Sequence, residues 1–448
     1  METASSHETA VLLAVTGRGG IGKRRDRLAT ITLAVLFSAN FANFMDRQVV
    51  AALAPFLKRY WQLSDAQVGL LGTAFEVLYA LGHIPLAVLA DRWLRGKVIA
   101  VAMALWSSAM ALSGAARSYG MLLLGRGALG LGEAGYGPSA LAWLSDLFPP
   151  ERRSRVVGFH DVGVMLGSAA GYVLGGVVGS ALGWRPVFVI AAVPGFVLAV
   201  VIWFLPEPRK GESDYDALGI DAESVAVPEI PANETIRKLS SIPTLIATYA
   251  AGTLNTFAAA GMVYWLPSFA VRLHGFREDS FGLLSGALTV VAGAAGVLSG
   301  AFLADRLLRR TPAGRLLTIS ISSLVGGPIA LAAVLVTGRV PFVILGGLAM
   351  YAFTFSIPCI APLIHQVTRP RLRATAMAVY LFVVHTLGNA TAPAVIGWLS
   401  DRSGDLRLGM ILAPMMALVS ALVGLWGMRF VGEDAEKMEA RLRAEAVG

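Results

Sequence analysis

The sequence has little of what a soluble protein relies on. Only 15% of its 448 residues are charged, whereas a soluble domain carries about 25%. It contains a single cysteine, Cys359, which excludes internal disulfide bonds and cysteine-rich metal sites. Residues 1–9 lack the basic start and the small-residue cleavage site of a signal peptide, so we expect no removable segment. These absences exclude a cytosolic globular enzyme, a disordered chain and a disulfide-stabilised scaffold.

Complete nucleotide-binding and hydrolase motifs are also missing. The glycine-rich segment 17–23 matches most of a P-loop, but Arg24 occupies the position where a P-loop has the Ser or Thr that binds magnesium. A dinucleotide-binding βαβ unit has no room there, because the first long apolar run begins near residue 28. The sequence contains no HExxH and no GxSxG motif. We therefore expect no cofactor, no metal and no enzymatic activity.

Apolar residues dominate what is present. They make up 56% of the chain, and its mean hydropathy is +0.66. They fall into runs long enough for membrane helices, which need roughly 20 apolar residues each. Such runs are helical, because lipid cannot satisfy an open backbone. The sequence therefore predicts an all-α membrane protein with twelve transmembrane helices, at about 28–57, 65–90, 98–116, 119–147, 155–181, 185–205, 241–271, 279–304, 315–337, 340–366, 374–400 and 408–430.

The distribution of basic residues predicts how these helices are oriented. Of the 37 Lys and Arg residues, 26 fall in the termini and alternate loops, 9 fall in the other loops, and Arg47 and Arg126 lie inside apolar runs. Because cytoplasmic loops carry the excess of Lys and Arg, both termini are predicted to be cytoplasmic. This topology accounts for the net charge of +8 without a nucleic-acid partner. We expect a multi-pass protein of the bacterial inner (plasma) membrane.

A polar, proline-rich stretch divides the chain into two six-helix halves. The motif Leu-Ala-Asp-Arg follows the second run at 89–92 and the eighth run at 303–306, so the halves echo each other. Two six-helix repeats with binding sites between them are typical of transporters. We predict a basic cytoplasmic tail at 1–27, a first bundle at 28–205, a cytoplasmic linker at 206–240, a second bundle at 241–430 and a cytoplasmic C-terminal helix at 431–448.

The loop 91–97, Asp-Arg-Trp-Leu-Arg-Gly-Lys, resembles the signature of the major facilitator superfamily between its second and third helices, although Ala87, Leu94 and Gly96 depart from the usual pattern. The resemblance implies the major facilitator fold and a cytoplasmic clasp of charges that holds a gate shut. The alternative is a basic loop that sets topology and has no gating role. The gating candidates are Asp91, Arg92, Arg95, Arg153, Arg155, Asp305 and Arg306.

Four further segments resemble the spinster-type branch of that superfamily. They are Asn-Phe-Met-Asp-Arg at 43–47, Gly-Leu-Gly-Glu-Ala at 130–134, Asp-Leu-Phe-Pro-Pro-Glu-Arg-Arg-Ser-Arg at 146–155 and Tyr-Trp-Leu-Pro-Ser-Phe at 264–269. Animal members of the branch export sphingosine-1-phosphate or lysophospholipids, and proton coupling has been proposed for them. The resemblance thus implies a secondary active transporter that moves an amphiphilic, anionic, lipid-like substrate by alternating access, coupled to protons.

Two other functions stay open at this point. A small organic anion or drug transporter has the same fold, and so does a lipid sensor that has lost transport. Because the sequence has no ATPase domain, accumulation of a substrate has to draw on an ion gradient or on the gradient of the substrate itself. The expected partners are the substrate, protons and membrane lipids, and we expect a monomer.

Four charges inside the first and fourth runs are the main site candidates. An ionisable residue in a membrane span costs about 2.5–3.5 kcal/mol even on insertion scales, so its presence indicates a function. Arg126 and Glu133 are seven residues apart and share a helix face, about 10 Å apart along the axis. We hypothesise that Asp46 and Glu133 take up and release protons, while Arg47 and Arg126 alternate between these carboxylates and an anionic head group. The alternative is a static salt-bridge network.

Further candidates lie in other runs. Glu76 is either a second proton site or a hydrogen-bonding residue of the bundle. His385 and Asn389 are four residues apart and share a helix face, so they are candidates for substrate binding, as is Tyr136. For His160 and Asp161 we favour a satisfied pair near a helix end over a coupling site.

Overall fold

The computed structural model describes residues 3–209, 239–368 and 372–447, together with Ser213 and Arg237; at some positions, including 3–26, it describes only the backbone. All regular secondary structure in these ranges is helical. Twelve helices follow one another, and eight of them are continuous: α1 Thr3–Trp61, α2 Asp65–Arg92, α3 Arg95–Gly114, α6 Trp184–Phe204, α7 Pro243–His274, α8 Glu278–Leu308, α9 Gly314–Leu335 and α12 Leu406–Val447. The predicted all-α fold of two six-helix halves is confirmed.

The other four helices are interrupted. Helix α4 consists of Tyr119–Glu133 and Tyr136–Leu147, and α5 of Pro150–Val173, a π-helical turn at Leu174–Val178 and Gly179–Leu182. Helix α10 consists of Arg339–Phe353, a 3₁₀ turn at Thr354–Ser356 and Ile357–Val367, and α11 of Arg373–Val383, a π-helical turn at Val384–Asn389 and Thr391–Ser403. Interruptions of this kind are frequent at functional sites.

Nine of the twelve helices contain a segment that is long and apolar enough to cross a membrane, judged on the described residues. Helices α2, α4 and α7 are not among the nine. Two of these three carry ionisable residues near their middle, Glu76 on α2 and Glu133 on α4. The polar character of these helices therefore coincides with the charges that the sequence analysis selected.

The structure describes the predicted linker and the predicted C-terminal helix to different extents. Most of the predicted linker, 206–240, lies outside the described residues. Helix α12 runs from Leu406 to Val447 without a break, so the predicted C-terminal helix is its continuation. Asp434 on this continuation accepts a hydrogen bond from the backbone N–H of Thr244 at 2.9 Å and so caps the beginning of α7.

Glycines set the distance between α5 and α1. A Cβ atom at Gly167 would lie 2.2 Å from the carbonyl oxygen of Phe41, and one at Gly171 would lie 2.4 Å from that of Met45. The two helices therefore pack backbone to backbone, as small residues allow in membrane bundles. Because both helices run in the same direction and in step, His160 on α5 lies beside Asn40 on α1.

Replacing one of these glycines with alanine tests the packing. We expect Gly167→Ala to lower the free energy of unfolding by about 1–3 kcal/mol, because the added methyl group has to push α5 away from α1. Gly158→Ala is the control on the same helix, since a Cβ atom there meets nothing within 4 Å. The measurement is thermal unfolding in detergent. Equal melting temperatures for the two variants would contradict the packing argument.

Candidate functional site

A cavity of about 250 Å³ lies between the two halves. Its walls combine polar groups with aromatic rings and small apolar side chains. The first half contributes Phe44, Arg47, Gln48, Gly72, Phe75, Glu76 and Arg126, and the second contributes Ala259, Ala260, Val263, Tyr264, Asn389 and Pro393. A mostly apolar pocket with a few convergent polar groups is the usual form of a small-molecule site.

Arg47 and Glu133 form an ion pair at the first-half side of the cavity. The Arg47 Nε atom donates to Glu133 Oε2 at 2.8 Å, and the Glu133 side chain is fully buried. The Arg47 guanidinium also lies over the rings of Tyr79 at 4.2 Å and Phe44 at 4.7 Å. These aromatic faces stabilise a cation that has left water. The pair leaves Glu133 Oε1 buried and without a hydrogen-bond partner among the described groups.

The other two charges of the cluster are less well satisfied. Arg126 is 2% exposed, and its Nε atom makes only a long hydrogen bond of 3.4 Å to the Leu71 carbonyl oxygen. Its Nη1 atom has no partner in the described chain. Asp46 is 0% exposed, and neither of its carboxyl oxygens has a described partner. The charged groups that act on Asp46 most strongly are Glu133 and Arg126, so the structure brings the four predicted residues together.

A second set of polar side chains, Glu76, His385 and Asn389, joins the two halves at the cavity. His385 Nδ1 lies 3.0 Å from Glu76 Oε2, and the Asn389 amide nitrogen lies 3.0 Å from the same ring nitrogen. His385 and Asn389 belong to the π-helical turn of α11, which directs them toward α2. Glu76 thus lies opposite His385 and Asn389, the two substrate-binding candidates of the second half.

Two aromatic residues on α2, Tyr79 and His83, are not among the predicted site residues. The rings of Tyr79 and His83 are 4.4 Å apart, and those of His83 and His385 are 6.2 Å apart. A signal was available, because Glu76, Tyr79 and His83 follow one another at i, i+3 and i+7 and so share a face of α2. Only Glu76 was selected because it is charged.

Tyr136 is not among the residues that line the cavity. It is 2% exposed, its hydroxyl group donates to the Leu36 carbonyl oxygen at 2.5 Å, and the same oxygen lies 2.9 Å from His160 Nε2. His160 Nδ1 in turn lies 3.2 Å from Asp161 Oδ1. These residues form a separate polar network within the first half.

The halves are joined on one side of the cavity, at the end of the bundle that holds the α1–α2 and α7–α8 connections. We call this the far end. Arg272 Nη1 donates to both carboxylate oxygens of Asp65 at 2.8 and 2.9 Å. Ser400 donates to Asp65 at 2.6 Å, and Lys58 donates to the same carboxylate. Asp65 of the first half is thereby held by two side chains of the second.

Asp401 of the second half caps a helix of the first half. Its two carboxylate oxygens each accept a backbone N–H of α2 at 2.7 Å, from Asp65 and from Ala66. Ser64 and Gln67 form a capping box at the same terminus. The first four N–H groups of α2 are therefore satisfied, two of them from across the interface. A carboxylate at a helix N-terminus is also favoured by the helix dipole.

Close backbone approaches seal the far end. A Cβ atom at Gly69 would lie 2.2 Å from the Pro393 carbonyl oxygen, and one at Gly397 would lie 2.3 Å from that of Asp65. Gly176 and Gly282 bring α5 and α8 together in the same way. Helices α2 and α11 therefore leave no space between them at these positions.

The gating candidates are only partly visible. The side chains of Asp91, Arg92 and Arg153 lie outside the described part of the chain. Arg95 pairs with Asp146 within the first half, and the backbone N–H groups of Arg95 and Gly96 donate to Glu207 at 2.9 Å. Arg155, Asp305 and Arg306 are exposed. A gating role for these residues stays a prediction.

Comparison with known proteins gives consistent matches. A family model described as Major Facilitator Superfamily matches residues 36–393. Protein spinster homolog 3 of Danio rerio is 27% identical over 92% of this chain and 87% of its own length. An MFS-type efflux pump of Mycolicibacterium smegmatis is 30% identical over 88% of this chain and 90% of its own length.

A solved structure shares the fold. It is a bacterial homolog to the human lysosomal transporter Spinster, in an inward-facing and unoccupied conformation. The TM-score is 0.78 and the sequence identity 24%, with 91% of this chain and 98% of the other covered.

Removing the carboxylate that caps α2 across the interface tests the far-end closure. In a Cys359→Ser background, spin labels at Arg117→Cys and Ser403→Cys report the distance between the halves at this end. We expect Asp401→Ala to add a longer-distance population, because a cap of this kind contributes about 1 kcal/mol and here acts only on the closed arrangement.

Asp405→Ala is the matched control for this measurement. Asp405 also caps a helix N-terminus, by accepting from the Arg407 N–H at 2.8 Å, but within its own half. An unchanged distance distribution in Asp401→Ala, or the same change in both variants, would contradict a cross-half role for the cap.

Proposed function

Because this chain belongs to the major facilitator superfamily and is a multi-pass membrane transporter of the spinster type, we propose that it moves an amphiphilic anion, with a lipid-like molecule as substrate, by proton-coupled alternating access. The proposal concerns the substrate, the coupling ion and the roles of the site residues. The single observation that carries it concerns Arg126 at the cavity wall. This buried side chain has one long hydrogen bond to a backbone oxygen and an Nη1 atom without a described partner.

Arg126 supports an anionic substrate. A buried guanidinium group normally has its donors paired, because an unpaired buried charge is costly. Arg126 has one long hydrogen bond to a backbone oxygen and an Nη1 atom without a described partner. Arginine binds carboxylates and phosphates through two parallel hydrogen bonds. The head group of the substrate would complete the coordination of this side chain.

The remaining cavity wall supports an amphiphilic substrate. Phe44 and Phe75 line the first-half side, and Ala259, Ala260 and Val263 line the second. An acyl chain gains free energy from contact with such a surface, while the head group remains beside Arg126. The name of the Mycolicibacterium relative, an efflux pump, makes export the direction to test first.

The first-half carboxyl groups support proton coupling. Asp46 has no solvent exposure and no described hydrogen-bond partner for either oxygen, a situation that an ionised carboxylate tolerates poorly. We propose that both carboxyl groups take up and release protons during the transport cycle. In this conformation Asp46 holds a proton and Glu133 is the anion paired with Arg47. When a substrate anion engages Arg126, the balance of charge around Asp46 changes, which links substrate binding to proton binding.

The far-end contacts support alternating access. With both termini cytoplasmic, as the basic residues predict, the far end faces away from the cytoplasm. The conformation described here would then be closed to the outside by Asp65, Asp401 and the glycine contacts. Opening to that side requires these contacts to separate while others form at the opposite end.

A small organic anion is the second candidate substrate. The observation that favours it is the cavity volume of about 250 Å³, which is below the roughly 300–1,000 Å³ typical of sites for drug-sized ligands. Such a cavity holds a head group or a small anion more readily than a complete lysolipid.

Transport into proteoliposomes tests substrate and coupling together. We expect labelled sphingosine-1-phosphate or a labelled lysophospholipid to be transported faster when a pH gradient is imposed. Glu133→Gln should abolish the effect of the gradient, because the side chain no longer exchanges a proton. Glu433→Gln is the control, since Glu433 is 66% exposed on the cytoplasmic extension of α12 and pairs only with Lys437 there.

The outcomes of this experiment separate the proposals. Flux of a small organic anion with no flux of either lipid would replace the lipid by the second candidate. Gradient-driven flux that persists in Glu133→Gln would show that Glu133 does not carry the proton.

Arg126 variants test recognition of the anion. We expect Arg126→Ala to raise the substrate concentration at half-maximal transport by about tenfold or more, since a hydrogen bond to a charged group contributes about 1.5–3 kcal/mol. Arg126→Lys should restore part of the affinity because it retains the charge. Arg315→Ala is the control, because Arg315 bonds Gln366 in the second half, away from the cavity. Unchanged half-saturation in Arg126→Ala would overturn the assignment.

A further inference from the structure

We propose that Asp161, His160 and Tyr136 form a proton path that leads through the first half to Asp46 and Glu133 without using the substrate cavity. This inference rests on the proton coupling proposed above and concerns the route by which the proton arrives. Neither the cavity nor the far-end contacts include these three residues.

His160 has the geometry of a relay. It is 3% exposed, and its two ring nitrogens face different partners, Nδ1 toward Asp161 Oδ1 at 3.2 Å and Nε2 toward Tyr136 Oη at 2.9 Å. The Asn40 amide nitrogen also lies 3.4 Å from Nδ1. An imidazole ring can take a proton on one nitrogen and release one from the other. Both partners carry oxygen atoms that can accept or deliver a proton.

Asp161 gives the path an entrance. Its side chain is 58% exposed, and a carboxylate facing lipid hydrocarbon would be strongly disfavoured, so this side chain faces water. It lies in the fourth turn of α5, on the termini side of the Gly167 contact. Protons can therefore reach His160 from the solvent on the side opposite the far end.

Tyr136 leads from His160 toward the buried carboxyl groups. Its hydroxyl group has two partners, the Leu36 carbonyl oxygen at 2.5 Å and His160 Nε2 at 2.9 Å, so its hydrogen can be directed to either. Tyr136 follows Glu133 by three residues, just beyond the interruption of α4 at Ala134 and Gly135. One helical turn thus separates the tyrosine from the Arg47–Glu133 pair.

Two amide side chains on α1, Asn40 and Asn43, extend the proposed path from His160 toward Asp46. Asn40, Asn43 and Asp46 are spaced three residues apart, so each step rises by about 4.5 Å along the helix and turns by about 60° around it. Asn40 donates to the His160 carbonyl oxygen at 2.9 Å and so fixes α5 at the level of the relay. The Asn43 amide nitrogen is buried and has no described partner, which leaves it available to orient water between the relay and Asp46.

The second half shows that packing alone does not require ionisable groups. Its buried network joins Asn255 to Ser356 at 3.0 Å and to Ser323 at 2.9 Å, and Ser323 to Ser420 at 3.2 Å. These hydroxyl and amide groups satisfy one another without a titratable member. In the first half, the elements packed around His160 bring Tyr136 from α4, Asn40 from α1 and Asp161 from its own helix, and the charged groups beyond them are Asp46, Arg47, Arg126 and Glu133.

A proton jump on the reconstituted protein tests the path without a substrate. The sample starts at an alkaline pH at which Asp46 is ionised. A caged acid then releases protons, and time-resolved infrared spectroscopy follows the carboxyl band of protonated Asp46, which is absent from Asp46→Asn. We expect His160→Phe to slow the appearance of this band by about tenfold or more and to leave its final amplitude unchanged. Tyr136→Phe should slow it in the same way. Free imidazole should restore the rate in His160→Ala.

Two further variants make the result specific. Asp161→Asn changes an exposed side chain, so it tests the entrance even if a change at buried His160 impairs folding, and we expect it to slow the band as well. Tyr249→Phe is the control, because it removes a tyrosine hydroxyl that donates to the Ala376 carbonyl oxygen in the second half, away from this network.

The outcomes distinguish this inference from the one it rests on. If the wild-type protein shows no carboxyl band assignable to Asp46 or Glu133, the proposed proton coupling fails. If the band is present and His160→Phe, Tyr136→Phe and Asp161→Asn all show the wild-type rate, coupling stands and the path is wrong. A loss of final amplitude without a change in rate would assign the network a structural role and also overturn the path.

Discussion

The burial of four ionisable side chains within six helices is the constraint on which the rest of this structure depends. Asp46, Arg47, Arg126 and Glu133 are tolerable in a membrane only as a set, because each alone would cost several kcal/mol. The set is not fully paired: one ion pair is short, while Arg126 and Asp46 lack side-chain partners in the described structure. Aromatic rings lie against both arginines, and they stabilise cations without fixing them to one carboxylate. A cluster held this loosely can exchange partners, which a fully paired network cannot do.

The two halves share one architecture but contain different kinds of buried polar side chains. The first half holds the buried charges and the glycine-lined contact between α1 and α5. The second half contributes His385 and Asn389 to the cavity and Ser400, Asp401 and Arg272 to the far end. Its own interior is held by neutral hydroxyl and amide groups. The Glu76–His385 pair is one of the contacts that join the second half to the region of the cluster.

The sequence was sufficient for the fold and for the charged cluster, because both depend on local pattern. Apolar runs and loop charges define twelve helices, and the seven-residue spacing of Arg126 and Glu133 places them on one face. The partners across the interface were not predictable, since they depend on how α2 meets α11: the Glu76–His385 contact and the Asp401 cap join residues more than 300 positions apart. Tyr136 was selected for the cavity, but the interruption of α4 turns it toward Leu36 and His160 instead.

The far-end contacts and the polar residues of the cavity lie at the same interface between the halves, but they are held together by different interactions. Asp65 and Asp401 use hydrogen bonds that exist only when α2 and α11 are together, and their free energy favours closure at that end. Arg126 and Asp46 lack side-chain partners among the described residues in this conformation. Glu76 and His385 lie between the two regions, and His385 belongs to a π-helical turn of α11. The two facing atoms of this pair need one hydrogen between them to form a favourable contact. The interface is thus held by hydrogen bonds and close backbone packing at one end and by a pair of ionisable side chains in the middle.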